Sequence, residues 1–175
     1  MIVDFIINAL YASNRIMIEG GVNLYYHSIW CGTQAINDKR SEALIIAALL
    51  HDFGHYLIDV DESNYQRDRM HAEISASWLN RWFPDDVCRP IALHTEAKRY
   101  LCRIDEQYYQ RLPKGSQLSL RNQGLAMNEN EAYLFKCDRY FVDSLIIRHY
   151  DDEPYREQTL FDLQYFREIL ITILR

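Results

Sequence analysis

Residues 41–55 read SEALIIAALLHDFGH. Ser41-Glu42 has the form of a helix start, a capping hydroxyl followed by an acid in the first turn. The run from Ala43 to Leu50 is apolar at every position, so the helix it predicts has no solvent face and belongs inside a core. At about eight residues the run is far short of the roughly 20 needed to span a bilayer. It then ends in His51-Asp52, and His55 follows one helical turn later. Ionisable groups at the foot of a core segment cost free energy unless something partners them, so these three residues require an explanation.

Working outward, apolar residues recur at helical spacing along nearly the whole chain, and strand-like alternation is almost absent. The pattern predicts a first helix over about Val3–Met17, ended by Gly20-Gly21, and a second over about Asn23–Ile36. The third opens at Ser41 and runs to about Leu57. DVDESNYQRD (59–68) reads as a polar loop. A fourth helix spans about Arg69–Phe83 and stops before Pro84. Asp85-Asp86 starts a fifth, which reaches about Thr95 with Pro90 inside it. The stretch 100–127 is looser and holds Pro113, Gly115 and Gly124. Asn128-Glu129-Asn130-Glu131 opens a long helix to about Tyr150, and a last one covers Thr159–Leu174. Without repeats or a linker, residues 1–175 read as one all-α domain.

Composition narrows the function. A net charge of −6 argues against a generic nucleic-acid binder, which carries a basic stripe, while leaving room for a local anion pocket. Cys31, Cys88, Cys102 and Cys137 are scattered, with no CxxC pair. They read as reduced thiols and not as a disulfide frame or a zinc knuckle. MIVDFIINAL has an acid at position 4 and no basic n-region, so a signal peptide is not expected. The expected location is the cytoplasm, with no membrane partner.

Of the six histidines (His27, His51, His55, His71, His94, His149), four fall on four different predicted helices. One buried histidine is ordinarily a hydrogen-bonded core residue. Several together with acids are harder to explain that way, because each neutral imidazole has two nitrogens to satisfy and a metal takes one of them well. An Asp can add a bridge, since its two oxygens reach two ions about 3.5–4 Å apart. A His-Asp pair with one ligand per neighbouring helix suits a dinuclear site in a bundle core.

The ordered set His27…His51-Asp52…His71…His94…Asp151 resembles the HD-domain superfamily of metal-dependent enzymes, in its two-metal branch. The resemblance implies a helical-bundle fold, with His27, His51, Asp52, His71, His94 and Asp151 as metal ligands. HTEAKRYL (94–101) is similar to a stretch of the HD-domain oxygenases that oxidise organophosphonates, relatives of myo-inositol oxygenase, and implies that Lys98 contacts the phosphonate. LPKGSQLSLRNQG (112–124) resembles the segment that supplies Ser116 and Gln123 to the substrate pocket. RHYDDEP (148–154) resembles the closing segment and implies Arg148 as an anion contact and Asp151 as last ligand, with Asp152 as its rival. By the same likeness His51 binds one iron, Asp52 bridges both, and His55 reaches substrate.

The implied activity is oxidation of a small hydroxyphosphonate by dioxygen at a mixed-valent Fe(II)/Fe(III) pair. The C–P bond is cleaved and phosphate released, with His55 and Lys98 as catalytic contacts. Mixed imidazole and carboxylate ligation suits iron without excluding manganese or zinc. The same ligands would equally serve a metal-dependent phosphohydrolase acting on a phosphate ester or nucleotide, or a binding protein with a relict site. Plainer roles also exist: His55 as support for a ligand, Lys98 as a solvated helix residue, Ser116 as a cap, Arg148 paired with a carboxylate. One departure stands out. Where relatives place a Tyr and a Glu upstream of the first histidine, as a gate over one iron, this chain has Met17 and Gly20. Glu19, Tyr11 and Tyr25 are the nearby candidates to replace them.

Overall fold

A computed structural model describes residues 1–18, 21–58, 70–156 and 158–175. Glu19, Gly20, the loop expected over 59–68 and Arg69 lie outside the described residues. The described residues form α1 (Ile2–Ala12), a 3-10 turn (Ser13–Arg15), α2 (Leu24–Asn37), α3 (Glu42–Leu50), α4 (Phe53–Leu57) and α5 (His71–Leu79). They continue with α6 (Asp85–Ile104), α7 (Tyr108–Arg111), α8 (Lys114–Asn122), α9 (Glu129–Lys136), α10 (Phe141–Asp152) and α11 (Leu163–Thr172). The chain is therefore an all-α bundle, and no named strand occurs among the described residues.

The apolar run is the axis of this bundle. Ser41 caps α3 by accepting from the Leu44 N–H at 3.3 Å, and every residue from Leu44 to Leu50 is buried. α3 touches α2, α6, α10 and α11. Each fully buried Leu or Ile there contributes roughly 1.5–3 kcal/mol. The expected single helix over 41–57 is in fact two. Asp52 leaves helical geometry (φ −96°, ψ 9°) and its neighbour restarts the chain as α4.

Two further expectations are corrected. The helix beginning at Asp85 does not stop near Thr95 but runs to Ile104, through Pro90. The charged EAKR looked like surface, but Lys98 and Arg99 are buried. Ala97 and Tyr100 face a small second core with Met127, Ala132 and Phe135. The long helix expected over 128–150 breaks at residues 137–140, where the Asp138 side chain accepts from the Tyr140 N–H at 2.8 Å and forms a local turn. α10 then packs along α6, and α5 along α6.

One glycine fixes how α4 meets α5. A Cβ on Gly54 would lie 2.1 Å from the His71 carbonyl oxygen, so only glycine permits the approach. The contact is stitched by Ser75. Its hydroxyl accepts from the Gly54 N–H at 2.5 Å and donates to the His51 carbonyl at 3.1 Å.

Candidate metal centre

Each ligand candidate arrives from a different part of the bundle. His27 comes from the middle of α2, whose N-cap Asn23 accepts from the Tyr26 N–H at 2.8 Å. His51 and Asp52 lie at the α3–α4 junction, and His71 is the first residue of α5. His94 sits mid-way along α6, and Asp151 in the last turn of α10. The four histidines and Asp52 are buried.

The two oxygens of Asp52 face two different groups. Oδ2 lies 3.5 Å from His27 Nε2 and 3.5 Å from His51 Nε2. Oδ1 lies 3.3 Å from His71 Nε2 and 3.7 Å from His94 Nε2. Asp151 joins the first group, with Oδ1 at 3.3 Å from His27 Nε2 and 3.8 Å from His51 Nε2. Within each group the imidazole nitrogens nearly touch: His27 and His51 Nε2 are 3.2 Å apart, His71 and His94 Nε2 3.1 Å.

That crowding tests whether metals fit. His51 Nδ1 lies 2.9 Å from the Ala48 carbonyl and His94 Nδ1 2.7 Å from the Ile91 carbonyl. A carbonyl only accepts, so both Nδ1 atoms carry hydrogen. Each neutral ring then offers an Nε2 lone pair, aimed at another imidazole nitrogen and a carboxylate. A metal ion, or a hydrogen on the facing Nε2 of His27 or His71, satisfies that lone pair, and the mixed imidazole and carboxylate donors suit a divalent cation. His27, His51, Asp52 and Asp151 form one set that could hold a metal ion, and Asp52, His71 and His94 a second.

Without metal, protons do that work. Burial pulls His51 down, but the Asp52 and Asp151 carboxylates outweigh it and hold its pKa at about 9. Burial also raises Asp52 and Asp151, yet the surrounding histidines, and for Asp151 chiefly Arg148, carry both well below the usual carboxylate range. His94 is pushed down by burial and by its neighbours His51 and His71.

The expected substrate contacts are placed unevenly. His55 stacks on His71, ring centroids 4.3 Å apart, with Nε2 4.0 Å from Asp52 Oδ1. Lys98 is buried and donates to Ser119 Oγ at 2.7 Å. Burial and then the Arg148 charge bring its pKa down to about 8. Ser119 in turn donates to the Ser116 carbonyl at 3.2 Å, so Ser119, unnoticed in the sequence, is the hydroxyl Lys98 meets. Gln123 has both polar side-chain atoms buried and without a hydrogen-bond partner. It lines a cavity of about 280 Å³ with Asn122, Thr95, Glu96 and Glu73, next to His94 in sequence.

Arg148 has a plainer geometry than an anion contact. It is buried and fully engaged by carboxylates of its own helix: Nη1 bonds Asp151 Oδ2 at 2.6 Å, Nε bonds Asp152 Oδ2 at 2.9 Å, and Nη2 bonds Asp152 Oδ1. Asp152 also accepts from the Tyr108 hydroxyl. Asp151, not Asp152, thus faces the histidines. Two more residues border the first group: the Tyr155 hydroxyl, 2.7 Å from His27 Nδ1, and Cys31, whose Sγ is 3.8 Å from His27 Nε2. Burial and the nearby carboxylates raise Cys31 well above a free thiol. The i,i+4 spacing from His27 to Cys31 was available in the sequence; nothing local announced Tyr155. At the position where relatives place a gating Tyr, Met17 is exposed and pairs as an isolated bridge with Asn23.

The HD domain family profile matches residues 24–142. The chain is 39% identical over 129 residues to a hydroxymethylphosphonate dioxygenase of Gimesia maris, covering 72% of this chain and 64% of that protein. It is 31% identical over 136 residues to a glycine-betaine-forming 1-hydroxy-2-(trimethylamino)ethylphosphonate dioxygenase of Leisingera caerulea, covering 75% and 68%. The chain thus spans less than two thirds of the first relative. No helix among the described residues is long and apolar enough to cross a membrane.

Proposed function

This chain belongs to the HD domain family, and from that premise we propose that it is a diiron oxygenase that oxidises a small hydroxyphosphonate and cleaves its C–P bond. The observation that carries the reading is the double aspect of Asp52, each oxygen turned to its own pair of imidazole nitrogens. The chain's likeness to two proteins named phosphonate dioxygenases supports the substrate class, and mixed imidazole and carboxylate ligation suits iron. Under this reading residues 1–175 act as one unit.

His27, His51, Asp52 and Asp151 would hold one iron, and Asp52, His71 and His94 the other. Bound iron would supply the binding and activation of dioxygen. The chain's own residues do the rest. The buried Lys98 ammonium, steadied by Ser119, neutralises the phosphonate, where a charge-assisted bond is strong. His55, stacked on His71, borders the same side of Asp52 and contacts substrate. Gln123 brings a buried, unpartnered amide, which a polar substrate group satisfies. Ser116 stands one turn before Ser119 on α8 and completes this wall. Arg148 acts on the anion's surroundings chiefly by fixing Asp151.

For hydroxymethylphosphonate the balance is one dioxygen consumed, with formate and phosphate as products and no external reductant. The test is phosphate release from hydroxyphosphonates and from phosphate esters, each with and without oxygen. Oxygen-dependent release from a phosphonate, one dioxygen per phosphate, is the expected result. Oxygen-independent cleavage of an ester with no phosphonate activity makes the protein a phosphohydrolase instead.

A further inference from the structure

For His27, His51 and His94 the ring nitrogen turned away from the cluster has a partner among the described residues, and these partners differ in kind. His51 and His94 face the Ala48 and Ile91 carbonyls, each three residues back on the same stretch of backbone. Those rings are held locally. His27 Nδ1 instead meets the Tyr155 hydroxyl at 2.7 Å, 128 positions along the chain. The segment bearing Tyr155 is tied to α2 at several points. Glu153 accepts from the Gln34 side-chain amide at 2.9 Å. The Gln158 side chain donates to Gln34 Oε1 at 3.1 Å, and the Phe161 N–H donates to Thr33 Oγ1 at 3.2 Å. The Tyr155 ring sits edge-on to Tyr26 and Trp30, centroids 5.5 and 5.3 Å away.

We propose that Tyr155 is a positioning residue that holds the His27 ring with Nε2 turned into the cluster, and that it does so equally with and without metal. The inference rests on the reading of the cluster as a metal centre. A carbonyl accepts only and locks one tautomer, whereas a hydroxyl both donates and accepts. When His27 gives its Nε2 lone pair to a cation, Nδ1 carries the hydrogen and the phenol oxygen accepts it. When Nε2 keeps a hydrogen toward Asp52 at 3.5 Å or Asp151 at 3.3 Å, the phenol O–H donates to Nδ1. The ring turns in neither case. Cys31 Sγ, 4.0 Å from the same Nδ1, is too weak an acceptor to replace it. Because Asp151 lies four residues before Tyr155, the strap also fixes the distance between two donors of one half of the centre.

Tyr155→Phe keeps the ring in its aromatic seat and removes only the oxygen. Zinc loading, competed with a chromophoric chelator, reads stoichiometry and affinity, while nitrogen-15 spectra of labelled histidines read which ring nitrogen is protonated and how fast its hydrogen exchanges. Wild-type chain should take up two zinc ions. The variant should keep the ion on the His71–His94 side at wild-type strength and bind the one on the His27 side about 10–100-fold more weakly. The His27 Nδ1 hydrogen should become fast-exchanging, with those of His51 and His94 unchanged. Affinities equal to wild type at both positions, or weakened alike at both, overturn the role of Tyr155 and leave the metal centre standing. A wild-type chain that takes up no zinc overturns the metal reading and this inference together.

Discussion

His27 and His51 crowd one oxygen of Asp52; Asp151 faces both imidazoles and is itself clamped by Arg148, whose other partner Asp152 is held by Tyr108. The other oxygen faces His71 and His94, with His55 stacked on His71 and its Nε2 4.0 Å from that oxygen. The first half therefore combines two imidazoles with two carboxylates and layered support. Among the described residues the second has two imidazoles and half a carboxylate, and His55 lies on its side. A richly anionic, braced half suits permanent holding of an ion. A sparsely anionic half leaves an ion more electrophilic and with positions for exchangeable ligands.

The largest test of this division is Asp52→Ala, which removes the shared carboxylate. Metal content after loading should fall from about two ions per chain to near zero, whereas His71→Ala should leave about one. An Asp52→Ala protein that retains two ions would end the shared-bridge picture. Next in size is Gly54→Ala. Its methyl would strike the His71 carbonyl, a backbone atom that cannot rotate away, so a cost of about 3 kcal/mol is expected, the upper end for overpacking. Urea unfolding measures that cost, and metal analysis should show the loss confined to the second half.

Lys98→Ala should weaken phosphonate binding by roughly 1.5–3 kcal/mol, the worth of a charge-assisted hydrogen bond, and leave both ions in place. Calorimetric titration without oxygen checks both. The smallest effect concerns protons in the metal-free first half. His51 holds its proton up to about 9, against an ordinary value near 6.5. Between those values the folded chain binds more protons than the unfolded one, so this stabilisation is complete below pH 6.5 and is lost as pH rises. From pH 6.5 to 8 the metal-free chain should lose about 1.6 kcal/mol through His51. Above pH 8 Lys98, lowered to about 8, begins to act in the opposite sense. In the zinc-loaded chain the ion displaces the proton and the trend with pH should reverse. Denaturation midpoints at pH 6.5 and 8, with chelator and with zinc, decide it.

The helical class and the apolar axis were legible because periodicity is a local property: nothing beyond residues 41–55 is needed to place α3 in the core. The ligand candidates were legible through spacing and resemblance, and all of them converge on Asp52. What spacing left open was which partner each side chain takes. Arg148 could face an anion or pair with a carboxylate, and in the fold its acceptors stand three and four residues later on its own helix. Ser119, the hydroxyl that Lys98 meets, carried no signal in the sequence, since the rotation of α8 about its axis is set by packing and not by its own sequence. The helix break at Asp52 also went unread, because an apolar run shows where a helix is buried and not where its backbone departs.

The donors converging on Asp52 are spread from position 27 to position 151, which gives the centre a second kind of consequence. Two bound ions would act as a crosslink closing a series of chain loops, the longest running from His94 to Asp151. Loop-closure entropy grows only logarithmically, about 0.6 kcal/mol per doubling of length, so even that longest loop costs little more to close than the shorter ones. Loading would therefore brace α2, α5, α6 and α10 together and not one after another. Amide hydrogen exchange should slow in all four helices at a single ion concentration.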